Sequence, residues 1–271
     1  MVQRVLVAVV GIPLILLIAL AFPPLVTVIV LAILCGLAVH ESMYATGEVT
    51  HKGLVAISTV LAALVPFWYY FGRDFTVGLG ALFVYFLLMN VLAIGSNRTI
   101  RFGQMGIALY SALLIPVMLS SLLLLLDVDH GRFFVLLPFV SAFSSDAFAL
   151  FAGMSLGKHP LAPKLSPKKT VEGSIGGLLG AGVMCAVFGL ICKQVWHVEP
   201  NLLALVLYGF CASVVSQLGD LSFSYVKRES GIKDYGHLLP GHGGVLDRFD
   251  SVIFCAPFTY LVMMAVELLS F

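Results

Sequence analysis

The chain has 271 residues, 60% of them hydrophobic and 11% charged, with 15 Lys and Arg against 14 Asp and Glu. An average soluble domain is about 45–50% apolar and about 25% charged. A mean hydropathy of +1.06 therefore excludes a water-soluble globular protein, a disordered chain and a nucleic-acid-binding module, while the net charge of +1 says nothing about partners.

A spanning helix needs about 20 apolar residues, because each adds ~1.5 Å across a hydrocarbon core ~30 Å thick. Runs of this kind fall at residues 5–22, 25–44, 53–71, 76–94, 105–126, 133–156, 173–192, 202–223 and 252–269. They are continuous, whereas barrel strands would alternate every second residue. The predicted fold class is all-α: a polytopic integral membrane protein of about nine transmembrane helices. Arg4, the apolar run after it and Ala19-Leu20-Ala21 resemble a signal peptide with its cleavage site. That run of 18 residues exceeds the usual signal core of about 7–15, so residues 1–21 are expected to stay as a helix.

With the amino terminus inside, the cytoplasmic segments hold Arg4, Lys52, Arg98, Arg101, Lys158, Lys164, Lys168, Lys169, Lys227, Arg228, Lys233 and Arg248. Only Arg73, Arg132 and Lys193 fall on the other side. Twelve against three follows the positive-inside rule and predicts a cytoplasmic amino terminus and an outside carboxyl terminus. The chain is expected to divide at residue 132, with about five amino-terminal helices and a catalytic region over 133–271. Loops 157–172 and 224–251 of that region carry eight of the 15 basic residues. Cytoplasmic loops are also basic for topology alone, and Lys/Arg clusters attract anionic lipids. The five cysteines all lie in apolar runs without CxxC spacing and read as small buried hydrophobes.

The acidic residues point to chemistry. Asp146 lies inside the sixth predicted helix, Asp220 near the end of the eighth, and Asp247 and Asp250 at the start of the ninth. A carboxylate at membrane depth is costly and usually faces a bundle interior as part of a functional path or a charge pair. Asp247 and Asp250, three apart, share one helical face. Capping of the helix dipole explains one of them, but it requires nothing of Asp220. Hard oxygen ligands suit Mg²⁺, which takes one or two carboxylates and completes its shell with substrate phosphates. Lys and Arg then neutralise the remaining phosphate charge, and phosphoryl-type transfer needs positioning and electrostatics above all. The glycines of Pro240-Gly241-His242-Gly243-Gly244 permit tight turns and close ligand approach.

Other patterns fail. Gly153-Met154-Ser155-Leu156-Gly157-Lys158-His159 is one residue short of a Walker A loop and ends in His, and His40-Glu41 lacks the second His of a zinc-protease helix. His40-Glu41 is assigned no role. Gly173, Gly176, Gly177 and Gly180 form a small-residue packing face of the kind found at helix contacts between subunits, which makes a homodimer an expectation.

Ser224-Tyr225-Val226-Lys227-Arg228, Lys233-Asp234-Tyr235-Gly236 and the run from Leu239 through Pro240-Gly241-His242-Gly243-Gly244 to Asp247-Arg248-Phe249-Asp250-Ser251 closely resemble the signature of the phosphatidate cytidylyltransferases, or CDP-diacylglycerol synthases. Gly157 to Gly173, with Pro163-Lys164-Leu165-Ser166-Pro167-Lys168-Lys169-Thr170, resembles that family's second block. The specific likeness covers about the last half of the chain. It departs at Asp146-Ala147-Phe148, where the family has a small residue then Gly before an aromatic, and at Val171, where an aromatic is common.

The resemblance implies that CTP and phosphatidate give CDP-diacylglycerol and pyrophosphate with Mg²⁺ or another divalent cation, at the cytoplasmic face of a bacterial inner membrane. It implies metal binding by Asp220 and Asp247, with Asp250 as a further ligand or an orienter. Lys227, Arg228, Lys233 and Arg248 would hold phosphates, and His242 would donate to a phosphate or stabilise the turn. Ser166, Lys168, Lys169 and Thr170 would help close the site over the nucleotide, and Asp146, Glu172, Gly243 and Gly244 would complete the substrate-binding set. Membrane lipid is the other expected partner. The rivals are a phosphotransferase that uses a CDP-alcohol or polyprenyl phosphate, a CTP-consuming lipid kinase and a transporter with buried charges. The chain has no Asp-Gly…Ala-Arg block of the CDP-alcohol type and no inverted repeat in its motifs.

Overall fold

In lipid the backbone must satisfy its own hydrogen bonds, so long apolar runs fold as helices. The computed structural model describes residues 15, 17–128, 131–236, 243–266 and 268–270. Among these, eight helices are long and apolar enough to cross a membrane. They are α1 (Pro24–Ala45), α2 (Lys52–Tyr70), α3 (Phe75–Gly95), α4 (Phe102–Leu126), α5 (Leu137–Leu156), α6 (Val171–Trp196), α7 (Leu202–Glu229) and α8 (Leu246–Ala265), with a one-turn helix, Gly131–Phe134, before α5. The protein is an all-α polytopic membrane protein. The first predicted run, 5–22, falls largely outside the described residues, and each of the other eight has its helix.

Helix starts follow local chemistry. Pro24 opens α1, Asp74 accepts from the Val77 amide at 2.9 Å, and Thr170 accepts from the Gly173 amide at 3.1 Å. Asp74 and Thr170 supply an acceptor to a first-turn amide that lacks a helical partner, and Pro24 has no amide hydrogen to satisfy. Contacts gather the chain into two units, one up to residue 124 together with 227–249, the other 125–226 with 250–271.

In the first unit α1 packs on α2, with Ser42 bonded to Ser111 of α4 at 3.0 Å and Ser58 to Tyr85 of α3 at 2.9 Å. Helix α3 buries only Tyr85 and Met89; its remaining apolar side chains suit contact with lipid. In the second unit α5 and α6 run against each other along the glycine face. A Cβ at Gly173 would lie 2.8 Å from the Ala149 carbonyl oxygen, and one at Gly177 would lie 2.7 Å from that of Ser145. The small-residue face expected at a subunit contact is thus filled by α5 of the same chain. Polar links tie α7 into this unit: Ser145 to Ser213 at 2.7 Å, Gln217 to Ser213 at 3.1 Å and Ser174 to Gln217 at 2.5 Å.

The two polar regions are more regular than the sequence suggested. Residues 157–172 contain a hairpin of β1 (Pro160–Ala162) and β2 (Ser166–Thr170), paired antiparallel. Helix α7 continues to Glu229 and α8 begins at Leu246, so both ends of the expected loop 224–251 are helical. Hydropathy marks where lipid ends, whereas a helix continues wherever its own hydrogen bonds continue. Lys227 and Arg228 suit a carboxyl-terminal turn and Asp247 an amino-terminal one. A last antiparallel pair joins β3 (Glu199–Pro200) to β4 (Leu269–Ser270).

Candidate active site

In the first unit the last turn of α7 and the first turn of α8 each contribute one charged side chain to a buried pair. Lys227 Nζ donates to Asp247 Oδ1 at 2.8 Å, with side-chain exposures of 10% and 2%. Burying a salt bridge is favourable only where the remaining polar valences are met. Here Asp247 Oδ2 accepts from the amides of Tyr235 at 2.7 Å and Gly244 at 3.0 Å. Lys227 also lies over the buried Tyr235 ring, 5.4 Å from its centroid.

The loop around this pair depends on glycine. Gly243 has φ +80°, a conformation that favours glycine, and a Cβ there would lie 2.8 Å from Asp247 Oδ2. Gly236 and Gly244 lie against the carboxylate of Glu41, whose Oε2 accepts from the Leu246 amide at 2.9 Å. The exposed Arg228 donates through Nη1 to the Ile232 carbonyl at 2.8 Å and closes the turn after α7. Lys233 and Arg248 are exposed, and His242 lies outside the described residues.

The second unit has its own charge pair: Lys169 of β2 with Asp220 of α7, both half-buried. Ser224, one turn on, donates to Asp220 Oδ1 at 3.3 Å. Asp250 is buried and accepts from the Ser251 amide at 2.8 Å; the Ser251 hydroxyl beside it is buried without a hydrogen-bond partner among the described residues. Ser166 is half-buried and Lys168 exposed on the hairpin, and Asp146 is exposed on α5.

Two of the expected binding residues have local structural work. Thr170 caps α6. Glu172 accepts from the amides of Lys158 at 3.0 Å and His159 at 3.2 Å, and it bonds His159 Nδ1 at 2.5 Å, which ties the hairpin's entry to α6. Glu41 and Tyr235 are the site residues to which sequence reasoning gave no role. The signal for Glu41 is a carboxylate within an apolar helix, which needs a partner. That partner lies 205 residues away, beyond the reach of any spacing rule.

Among the described residues no group of three or more His, Cys, Asp or Glu side chains could hold a metal by itself. Asp247 in the first unit, and separately Asp220, Asp250 and the unpartnered Ser251 hydroxyl in the second, are nonetheless hard oxygen donors. That chemistry fits Mg²⁺, which keeps waters and substrate phosphates and seldom uses an all-protein cage.

A model of the family described as "Cytidylyltransferase family" matches residues 2–266. The chain is 35% identical to the phosphatidate cytidylyltransferase of Bacillus subtilis over 218 residues, which is 79% of each chain. It is 35% identical to that of Rickettsia felis over 186 residues, covering 66% of this chain and 81% of the relative. Its likeness to the phosphatidate cytidylyltransferase of Haemophilus influenzae is 42% over 132 residues, 49% of this chain and 46% of the relative.

Proposed function

The chain belongs to the cytidylyltransferase family, and from that premise we propose that it transfers the cytidylyl group of CTP to phosphatidate. The products are CDP-diacylglycerol and pyrophosphate. The observation that carries this reading is the buried Lys227–Asp247 pair, built from the sequence block that resembles the phosphatidate cytidylyltransferases and set in a chain with named relatives of that activity.

A phosphate oxygen of phosphatidate attacks the α-phosphorus of CTP. The bond from that phosphorus to the bridging oxygen breaks, and pyrophosphate leaves with the electron pair. The attacking phosphate needs no general base near neutral pH, since its second pKa is about 6 by analogy with phosphorylated side chains. Lys227, Arg228, Lys233 and Arg248 bind and orient phosphates of the two substrates. Lys168 and Lys169 add positive charge on the hairpin, where Ser166 supplies a hydroxyl. Gly243 and Gly244 let the backbone approach close to Asp247.

Asp220 and Asp247, with Asp250 as a further ligand or an orienter, would hold a divalent cation, which when bound neutralises triphosphate charge. The reaction occurs on the cytoplasmic side of the membrane: phosphatidate keeps its acyl chains in the bilayer, CTP is a soluble polyanion, and the 12-to-3 bias of basic residues favours its delivery there.

The test is direct. Purified protein in detergent receives CTP labelled at the α-phosphate, phosphatidate and Mg²⁺. Label is expected in a chloroform-soluble lipid, with one pyrophosphate released per label transferred. Label that stays in the aqueous phase as CDP would identify a CTP-dependent kinase instead.

A further inference from the structure

Glu41 is an acidic residue in an apolar helix, with Val39 buried on one side and Ser42 and Met43 on the other. An ionised side chain there is costly unless it is paired or hydrogen-bonded. Its carboxylate meets backbone. Oε2 accepts from the Leu246 amide, one of the first-turn amides of α8 that lack a partner within the helix. The same carboxylate occupies space that a side chain would need at two glycines. A Cβ on Gly236 would lie 2.7 Å from Oε1, and one on Gly244 would lie 2.8 Å from it.

Those two glycines belong to the strands of chain that hold Asp247. Tyr235, whose amide donates to Asp247 Oδ2, precedes Gly236, and Gly244 supplies the other amide to the same oxygen. Leu246, held by Glu41, directly precedes Asp247. Glu41 therefore bonds one point of the backbone and lies against two others, and these three points set where the Asp247 carboxylate sits.

We propose that Glu41 is a positioning residue, which clamps residues 244–246 at the start of α8 and so aims Asp247 for the reaction. The clamp rests on the reading of Asp247 as part of the active centre. Glu41 acts through a hydrogen bond that an amide oxygen can also accept, so its shape matters and its charge does not. Glutamine keeps the reach and the acceptor. Alanine loses both, and aspartate is shorter by one carbon–carbon bond, about 1.5 Å.

Two readouts on the full-length protein in detergent test this. Hydrogen exchange of peptides covering residues 243–247 reports the clamp directly, without turnover. The labelled-CTP assay reports its consequence, through turnover and through the Mg²⁺ concentration for half-maximal rate. Glu41→Ala and Glu41→Asp are expected to speed exchange in residues 243–247 while leaving α1 and the distal part of α8 protected. They should lower turnover by on the order of 10–100-fold, the usual scale for groups that orient a ligand, and raise the Mg²⁺ requirement. Glu41→Gln should restore both readouts. Gly244→Ala, which drives a methyl into the carboxylate, should reproduce Glu41→Ala and stands in for it should the alanine variant not fold.

Two results overturn the proposal. One is wild-type exchange at 243–247 in Glu41→Ala or in Gly244→Ala. The other is a Glu41→Gln protein that loses turnover as fully as Glu41→Ala while its loop stays protected, which would give the charge itself the role. Should wild-type protein transfer no label to lipid, the phosphatidate reading fails, and the exchange data still decide whether Glu41 clamps the loop.

Discussion

Asp247 has three donors and almost no contact with solvent, so its substitution has consequences for both chemistry and stability. Asp247→Asn keeps an oxygen for the two amides but removes the charge; turnover should vanish while the protein remains folded and monodisperse in detergent. Lys227→Ala leaves a buried carboxylate without its counter-ion and Asp247→Asn leaves the buried Lys227 ammonium without one; each change costs about 3–5 kcal/mol, so both thermal midpoints should fall. A double Lys227→Met, Asp247→Asn variant removes both charges at once and keeps an oxygen for the Tyr235 and Gly244 amides. It should recover part of the stability lost by Lys227→Ala and stay inactive, since no buried charge is left unpaired. At this scale Lys227 and Asp247 were legible in the sequence, because charges are so few that each one beside the bilayer needs a reason. The partner of Glu41 was not, because it is a backbone amide 205 residues away brought to it by folding, and an amide carries no sequence signal.

Among the elements, the contact of α5 with α6 shows how glycine sets the distance between helices. Without a hydrophobic drive between apolar helices in lipid, close backbone packing and interhelical hydrogen bonds hold them together. A Cβ at Gly180 would fall into the Phe148 ring, whereas at Gly80 on α3 nothing lies within 4 Å. Gly180→Leu should therefore destabilise the protein by about 1–3 kcal/mol or more, the cost of overpacking. Gly80→Leu should leave the thermal midpoint close to that of the wild type. A result in which both behave alike would remove the packing role of Gly180. The glycine spacing predicted a helix contact correctly, but it is blind to whether the neighbour belongs to the same chain. The hairpin of residues 160–170 also escaped the sequence reading, since Pro, Lys and Ser there give no alternation of apolar and polar residues.

For the whole molecule, the expected orientation is open to measurement. Cysteines introduced as Lys168→Cys and Arg73→Cys should react with a membrane-impermeant maleimide from opposite sides of sealed vesicles, Lys168→Cys from the cytoplasmic side; labelling of both from one side would break the predicted topology, and exchange of the two sides would reverse it. Composition determined that the chain lives in lipid, the order of apolar runs determined where its helices lie to within about six residues, and two motif blocks carried the resemblance to a cytidylyltransferase. These follow from transfer of side chains out of water and from short motifs, which are properties of neighbouring residues. Tertiary structure alone decided that Glu41 meets the loop before α8, that Asp247 is satisfied by Lys227 and two amides, that Lys169 pairs with Asp220, and that the glycine face of α6 is filled by α5. Most depend on groups distant in sequence, brought together because a buried charge or an open helix face is costly until something meets it.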